Sequence, residues 1–359
     1  MGETAIYNIM KQIRPIDDVV QKDVLARFDE LAKPQNSLGR LEKLVAQAAG
    51  IYGKHSPTIE RKIIFLMAAD HGITQEQVSP HPSDITRQMV LNFLNGRAAI
   101  NVLARHFNTE IVITDMGVKG DLSQLLGIFN KKIAQGTGNI AKEAAMSREM
   151  AERSIKIGRE VFEEVFAQRQ IDLIGLGEMG IGNTSASSAI ISLLTGAEVE
   201  EVVDSGSGLT PDGIKHKITV IKQAISLHKP DINDPIDILS KVGGFEIGGL
   251  IGCIFAAAQR KIPIVMDGLI SGACALLAIK LNRVIKDYLF TSHCSREKGH
   301  KVVLDYLGMT PIFDLEMCLG EGTGAVFGMN FLEAGFKLLN QMATFTDLKK
   351  INQSMRNNN

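Results

Sequence analysis

Tryptophan is absent from this chain and tyrosine occurs only four times, so there is little aromatic surface on which nucleic-acid bases would stack. An excess of either charge is also lacking. The 39 basic and 40 acidic residues leave a formal net charge of −1, and no basic face invites nucleic acid or an anionic membrane surface. Four cysteines, Cys253, Cys274, Cys294 and Cys318, show no CxxC spacing and are too sparse for an extracellular disulfide framework. Cys253 and Cys274 lie in Ala-rich apolar runs, where a thiol packs as a small hydrophobe. Met1 to Arg14 contains no apolar signal-peptide core. The apolar stretch from Pro263 to Leu281 is broken by Asp267 and Lys280, short of the roughly 20 residues that a membrane span needs. The expectation is a cytoplasmic chain without nucleic-acid or membrane partners.

Metal and nucleophile signatures are missing too. The eight histidines are scattered, with no HExxH and no His/Cys ligand cluster. No Ser or Cys sits in a Gly-x-Ser-x-Gly elbow. Asp70-His71 reads as a hydrogen-bonded pair at a strand end in preference to half a ligand set.

Hydrophobic residues make up 45% of 359, enough for two domains of roughly 150 residues or one large α/β unit. Short apolar runs end abruptly in Gly or Asp: Lys62–Met67, Glu110–Thr114, Ile171–Ile174, Pro263–Met266 and Tyr288–Thr291. Such runs predict strands buried on both faces. Between them, Arg87–Arg105, Ser147–Arg169 and Glu246–Arg260 have the length of crossover helices. This alternation predicts an α/β fold with a parallel, doubly wound sheet and helices on both faces. Val20–Leu31, Leu41–Ile51 and Ala325–Ala343 read as helices of a small subdomain built from both ends of the chain. The implied division is 1–58, 59–328 and 329–359, with a frayed tail from Lys349. The expected strand ends carry Asp70, His71, Asp115, Glu178, Asp267, Ser292 and His293, and ligands of such sheets bind beyond those ends.

Three glycine turns carry the chemistry. The first runs from Gly175 through Glu178, Gly180, Ile181, Gly182, Asn183 and Thr184 to Ser188, with Asn183 or Thr184 as a helix N-cap. Free amides at such a helix start suit one phosphate group. The same stretch spells Gly175-x-Gly177-x-x-Gly180, with Glu198 and Glu200 about 20 residues on, which is the dinucleotide pattern of an NAD(P)-dependent oxidoreductase. It lies mid-chain, and its hydroxyl-rich continuation fits a single phosphate better. A bland reading, packing glycines in a tight turn, competes with both. The second turn, Asp204 to Leu209, precedes a helix with Lys215, His216 and Lys217. A lysine there can reach a phosphate, although lysines on helices are more often solvated. The third, Leu319 to Ala325, lacks the Lys-Ser/Thr ending of a triphosphate-binding loop. It sets Glu321 between glycines, where desolvation would raise its pKa toward that of a general base, although a loop glutamate taken alone is more often solvated.

Ten stretches in order resemble one family. They are Lys33–Lys43, Ala69–Gly72, Gln88–Val90, Asn101–Arg105, Gly136–Asn139, Gly177–Thr184, Gly243–Ile247, Asp267-Gly268, Ser292-His293 and Gly320–Ala325. The family is the nicotinate-nucleotide–dimethylbenzimidazole phosphoribosyltransferases, which move phosphoribose from nicotinate mononucleotide to a benzimidazole in cobalamin nucleotide-loop synthesis. The resemblance implies a Rossmann-like sheet with a small helical subdomain, a homodimer, small-molecule substrates, and neither cofactor nor metal. It implies that Glu321 is the catalytic base. It places Gly180, Ile181, Gly182, Asn183, Thr184 and Lys217 at the phosphate, Glu178 near the ribose, and Ser79, Gln88 and Leu319 around the base. Where the family has a small residue and an aromatic after Ser79, this chain reads Pro80-His81-Pro82, which leaves the acceptor base open. A non-catalytic nucleotide sensor on the same fold is the reading from another class, and the presence of Glu321 weighs against it.

Overall fold

The computed structural model describes residues 12–206 and 208–357. Among them, strands β1 (Lys62–Ala69), β2 (Thr109–Gly117), β3 (Ile128–Asn130), β4 (Leu173–Met179), β5 (Ile264–Met266) and β6 (Leu289–Thr291) form one sheet in the order β3-β2-β1-β4-β5-β6. Every pairing is parallel, with Lys62 opposite Thr109 on one side and Leu173 on the other. All eight residues of β1 are buried, as the unbroken apolar run predicts for a strand covered on both faces. Strand order reverses between β1 and β4, so a crevice opens beyond their carboxyl ends.

The two faces can be read from neighbouring side chains. The ring of Phe65 stacks at 5.5 Å on Phe162 of the helix Arg148–Gln168, which is capped by Ser147. Ile64, one residue out of phase, meets Gly175, Gly177 and Gly322 on the other face, under the helix Thr323–Gln341. Helices Arg148–Gln168 and Phe245–Gln259 approach so closely that glycine is required at the contact. A Cβ on Gly252 would lie 2.0 Å from the Ile155 carbonyl and 2.7 Å from the Arg159 nitrogen.

Helices Asp18–Glu30 and Arg40–Tyr52 pack together, and Gly335 of Thr323–Gln341 presses on Leu41 and Val45. Leu31 bridges Thr344 in antiparallel fashion, so the early and late segments meet. Their residues Val20, Val24 and Phe28 belong to the same contiguous apolar cluster as the strands. Cys253 and Cys274 are buried in that cluster as small hydrophobes. No helix among the described residues is long and apolar enough to cross a membrane.

Several expected boundaries move. The stretch Arg87–Arg105 is two helices, Asp84–Leu94 and Ala99–His106, because Gly96 at φ +70° turns the chain between them. The tail expected to fray from Lys349 is helical over Phe345–Asn357, with Thr344 and Asp347 exchanging hydrogen bonds at its start; Asn358 and Asn359 lie outside the described residues. β4 runs on to Met179, so Gly175 and Gly177 are strand residues and not part of a turn.

Substituting Gly252→Ala pushes a methyl into backbone that cannot retreat. Urea unfolding is expected to show a loss of about 1–3 kcal/mol, the usual cost of overpacking, and an unchanged midpoint would refute the tight helix contact.

Candidate active site

Glu178 is the penultimate residue of β4, and the chain leaves the strand through Gly180, Ile181 and Gly182 before the helix Asn183–Thr195. The turn is braced by hydrogen bonds from Ile181 N to Thr86 Oγ1 at 3.0 Å and from Asn183 N to the Gly180 carbonyl at 3.0 Å. The N-cap is Gly182, at φ +98°, in place of the expected Asn183 or Thr184. A left-handed cap favours glycine, and it frees Asn183 to donate its amide to the Glu178 carboxylate.

The second glycine turn folds back over the first. A Cβ on Gly206 would stand 3.6 Å from Lys217 Nζ and 3.8 Å from Thr184 Oγ1. Lys217 comes from the helix Pro211–His228, capped by Thr210, and its ammonium donates to Thr184 Oγ1 at 2.7 Å. Only 2% of this lysine is exposed, so the solvated alternative does not hold. Burial pushes its pKa down to about 8, while Glu297 and Asp204 pull it upward. A buried cation, already stripped of water beside a helix start, suits an anionic ligand.

The third turn brings Glu321 to the same place. Gly320, Glu321 and Gly322 have φ of +84°, +61° and +86°, so a glutamate is held in the left-handed region between two glycines. Non-glycine residues resist that region, and such strain persists only where the surroundings enforce it. Asp267, just beyond β5, does the enforcing. Its carboxylate accepts from the Gly322, Gly324 and Ala325 amides at 3.0, 2.7 and 3.2 Å. Gly177 completes the seat, since a Cβ there would lie 2.8 Å from the Glu321 carbonyl. Gly175 likewise makes room for Ala325 and Met329. The packing reading therefore holds for these two glycines, and the dinucleotide reading loses two of its three.

Glu321 is 6% exposed and its Oε2 has no hydrogen-bond partner among the described residues. Burial raises its pKa, the Asp267 charge adds to the rise, and the Ile100 amide opposes it. Glu178 is pushed further, to about 8, by burial and then by the charges of Asp267 and Glu246, against its bond from Asn183. Both carboxyls are thus tuned toward the neutral range that proton transfer requires.

A cavity of about 300 Å³ joins these parts. It is lined by Glu178, Gly180 to Thr184 and Glu321, together with Ser79, Leu319 and the apolar Met89, Met179 and Ile270. Lys217 stands behind Thr184. Ser79 and Leu319 thus reach the cavity, whereas Gln88 is exposed, binds Asp84 Oδ2 at 2.8 Å and lies outside the lining. Met89, its neighbour, faces in; the sequence offered no signal for that beyond a helical phase of one residue. Asp70 and His71 do not pair with each other: Asp70 accepts from Ser83 and from the Lys119 amide, and His71 meets Glu246. Among the described residues no group of three or more His, Cys, Asp or Glu side chains is placed to hold a metal ion.

A family model described as phosphoribosyltransferase matches residues 13–349. The nicotinate-nucleotide–dimethylbenzimidazole phosphoribosyltransferase of Roseiflexus sp. (strain RS-1) is 47% identical over 334 residues, covering 93% of this chain and 94% of that protein. The protein of the same name from Citrifermentans bemidjiense is 46% identical over 342 residues, 95% of this chain and 97% of its own length. The crystal structure of CobT from Thermus thermophilus superposes with a TM-score of 0.88 at 38% identity, covering 92% of this chain and 98% of that one.

The raised Glu178 carboxyl has a consequence for stability. Between about pH 4.5 and 8 the folded chain keeps a proton there that the unfolded chain has lost, so this group's contribution falls as pH rises through that window. In thermal melts the stability of Glu178→Gln relative to wild type is expected to increase steadily from pH 5 to pH 8. A difference independent of pH would show that Glu178 titrates normally.

Proposed function

The chain belongs to the nicotinate-nucleotide–dimethylbenzimidazole phosphoribosyltransferase family, and from that premise we propose how its residues move the 5-phosphoribosyl group from nicotinate mononucleotide to 5,6-dimethylbenzimidazole or a related base. The products are nicotinate and an α-ribazole 5′-phosphate. The donor phosphate rests on the Gly180–Thr184 turn, with the Lys217 ammonium behind it. Glu178 lies toward the ribose, and the apolar wall of Met89, Met179, Ile270 and Leu319 takes the flat acceptor ring.

Nicotinate leaves easily because its ring nitrogen is a pyridinium in the donor. The C1′–N bond to that ring breaks and its electron pair neutralises the pyridinium. One acceptor nitrogen forms the new C1′–N bond from the opposite face, which inverts C1′ from β to α. The acceptor's other nitrogen gives its proton to the Glu321 carboxylate. No general acid is needed, and much of the rate comes from holding two rings and a ribose in line. Carboxylate charge near C1′ also favours the oxocarbenium character of the transition state.

The observation that carries this reading is Glu321 itself. It is a buried carboxylate with an unpartnered oxygen, held in left-handed backbone, and it shares one cavity with a phosphate-type turn. The oxidoreductase reading has no comparable support, since Gly175 and Gly177 seat the Glu321 loop from within β4. The exposed Pro80-His81-Pro82 segment adds no ring to the lining, so the acceptor is gripped by methionine and aliphatic contacts in place of aromatic stacking. We also assign the chain a homodimeric state and a small helical subdomain, as the family resemblance implies, and a cytoplasmic location, as the composition implies. The subdomain is drawn from 1–58 and 329–359, of which 1–11, 358 and 359 lie outside the described residues. A single-chain mass in light scattering would remove the dimer.

Incubation with nicotinate mononucleotide and a panel of bases, with products read by mass spectrometry, tests the reaction and ranks the acceptors. Glu321→Gln is expected to keep the wild-type circular dichroism and lose roughly 10²-fold or more in kcat, the usual share of a general base. Turnover close to wild type in that variant would remove Glu321 from its role.

A further inference from the structure

Three of the stretches that carry the family resemblance have no part in the site as assigned so far: Ala69–Gly72, Gly136–Asn139 and Gly243–Ile247. They converge on His71. The Gly72 amide just after it donates to Thr137 Oγ1 at 3.2 Å, and the Thr137 amide returns a bond to the Asp70 carbonyl at 3.0 Å. On one side the imidazole presses against the phosphate-type turn. A Cβ on Gly180 would lie 3.3 Å from His71 Cδ2 and Nε2, and one on Gly182 would lie 3.2 Å from His71 Cβ. On the other side, a Cβ on Gly244 would come within 2.5 Å of His71 Cε1. Glycines on both sides thus leave the ring one place to sit.

Its Nε2 reaches Glu246 Oε1 at 2.7 Å, with the two side chains 1% and 0% exposed. Glu246 stands in the first turn of Phe245–Gln259, and its other oxygen, Oε2, has no partner among the described residues. A buried carboxylate with a bare oxygen is costly, and an apolar contact would fill the same space without that cost. The pair lies directly beneath Gly180 and Gly182, and Glu246 is close enough to Glu178 for its charge to be felt there.

We propose that His71 and Glu246 are a positioning pair for the donor phosphate, fixing the shape of the Gly180–Gly182 turn from below. This rests on the assignment of that turn to the phosphate. His71 sets the floor of the turn, and Glu246 sets the ring's orientation. Neither residue touches the acceptor ring.

The test separates donor from acceptor kinetics in the full-length enzyme. Glu246→Gln keeps the side-chain size, so it is expected to fold. Its KM for nicotinate mononucleotide should rise about tenfold, while the KM for dimethylbenzimidazole stays within about twofold. His71→Leu should match it, whereas His71→Gln, which keeps an N–H near the Nε2 position, should recover most of the loss. A second readout is the pH profile. Glu178 is faced by Asp267 beyond β5, Glu246 from its helix, Glu321 from its loop and the Asn183 amide. Removing the Glu246 charge lowers the Glu178 pKa, so the loss of thermal stability tied to Glu178 on raising the pH should be complete at lower pH.

An unchanged donor KM in Glu246→Gln would overturn the proposal, as would a parallel rise of both KM values with a lowered melting point. If wild type releases no nicotinate with any base, the transferase reading fails on its own. Calorimetric titration with nicotinate mononucleotide then decides this one, by whether Glu246→Gln binds it about tenfold more weakly than wild type or equally well.

Discussion

The Asp267 carboxylate, accepting three backbone amides from Gly322, Gly324 and Ala325, is the interaction on which the candidate site depends. It ties the end of β5 to the start of the helix Thr323–Gln341, about fifty residues later. A negative charge at a helix N-terminus is favourable in its own right, and here it does a second job. It holds Gly320, Glu321 and Gly322 through successive left-handed positions that a glutamate resists. Burial pushes the Asp267 carboxyl upward, and His293 and the three amides pull it back. The loop carrying the candidate base is thus held by a charged strand end, with the helix as its stiff backing.

The same few residues set the electrostatics. Glu178, Glu246, Asp267 and Glu321 are buried near one another, and the first is pushed to about 8 by burial and by its neighbours' charge. Lys217 is shifted down to about 8 by burial on the far side of the turn. One end of the cavity is therefore poised to hold an anion and the other to accept a proton. A phosphorylated donor and a neutral heteroaromatic acceptor are the substrates such a division suits.

Much of this was legible in the sequence, for identifiable reasons. Strands buried on both faces read as unbroken apolar runs, so β1, β2, β5 and β6 were found within three residues at each end. Glycine turns keep their identity whatever surrounds them, and all three converge. Spelling without context is ambiguous, and the structure removes the dinucleotide alternative that the sequence already ranked below a single phosphate. Two of the three dinucleotide-like glycines, Gly175 and Gly177, proved to be packing residues inside β4, because the strand ran five residues further than its β-branched portion suggested. One helix read as continuous across Gly96, and the tail read as frayed because a polar stretch gives no sign of the hydrogen bonds between Thr344 and Asp347. Gln88 and Met89 differ by one position on a helix, and only the orientation of Asp84–Leu94 selects the methionine.

By itself the sequence determined the strand-and-helix alternation, the three glycine turns and the residue types able to bind an anion and take up a proton. Those depend on local periodicity and on backbone freedom, which neighbouring residues carry. The tertiary structure decided burial and meeting. Lys217 became a desolvated cation, Glu321 a strained and partly unpartnered carboxylate, and His71 a partner of Glu246, 175 positions away, in place of its neighbour Asp70. Such outcomes depend on which distant segments exclude water from a given atom, and no local pattern encodes that.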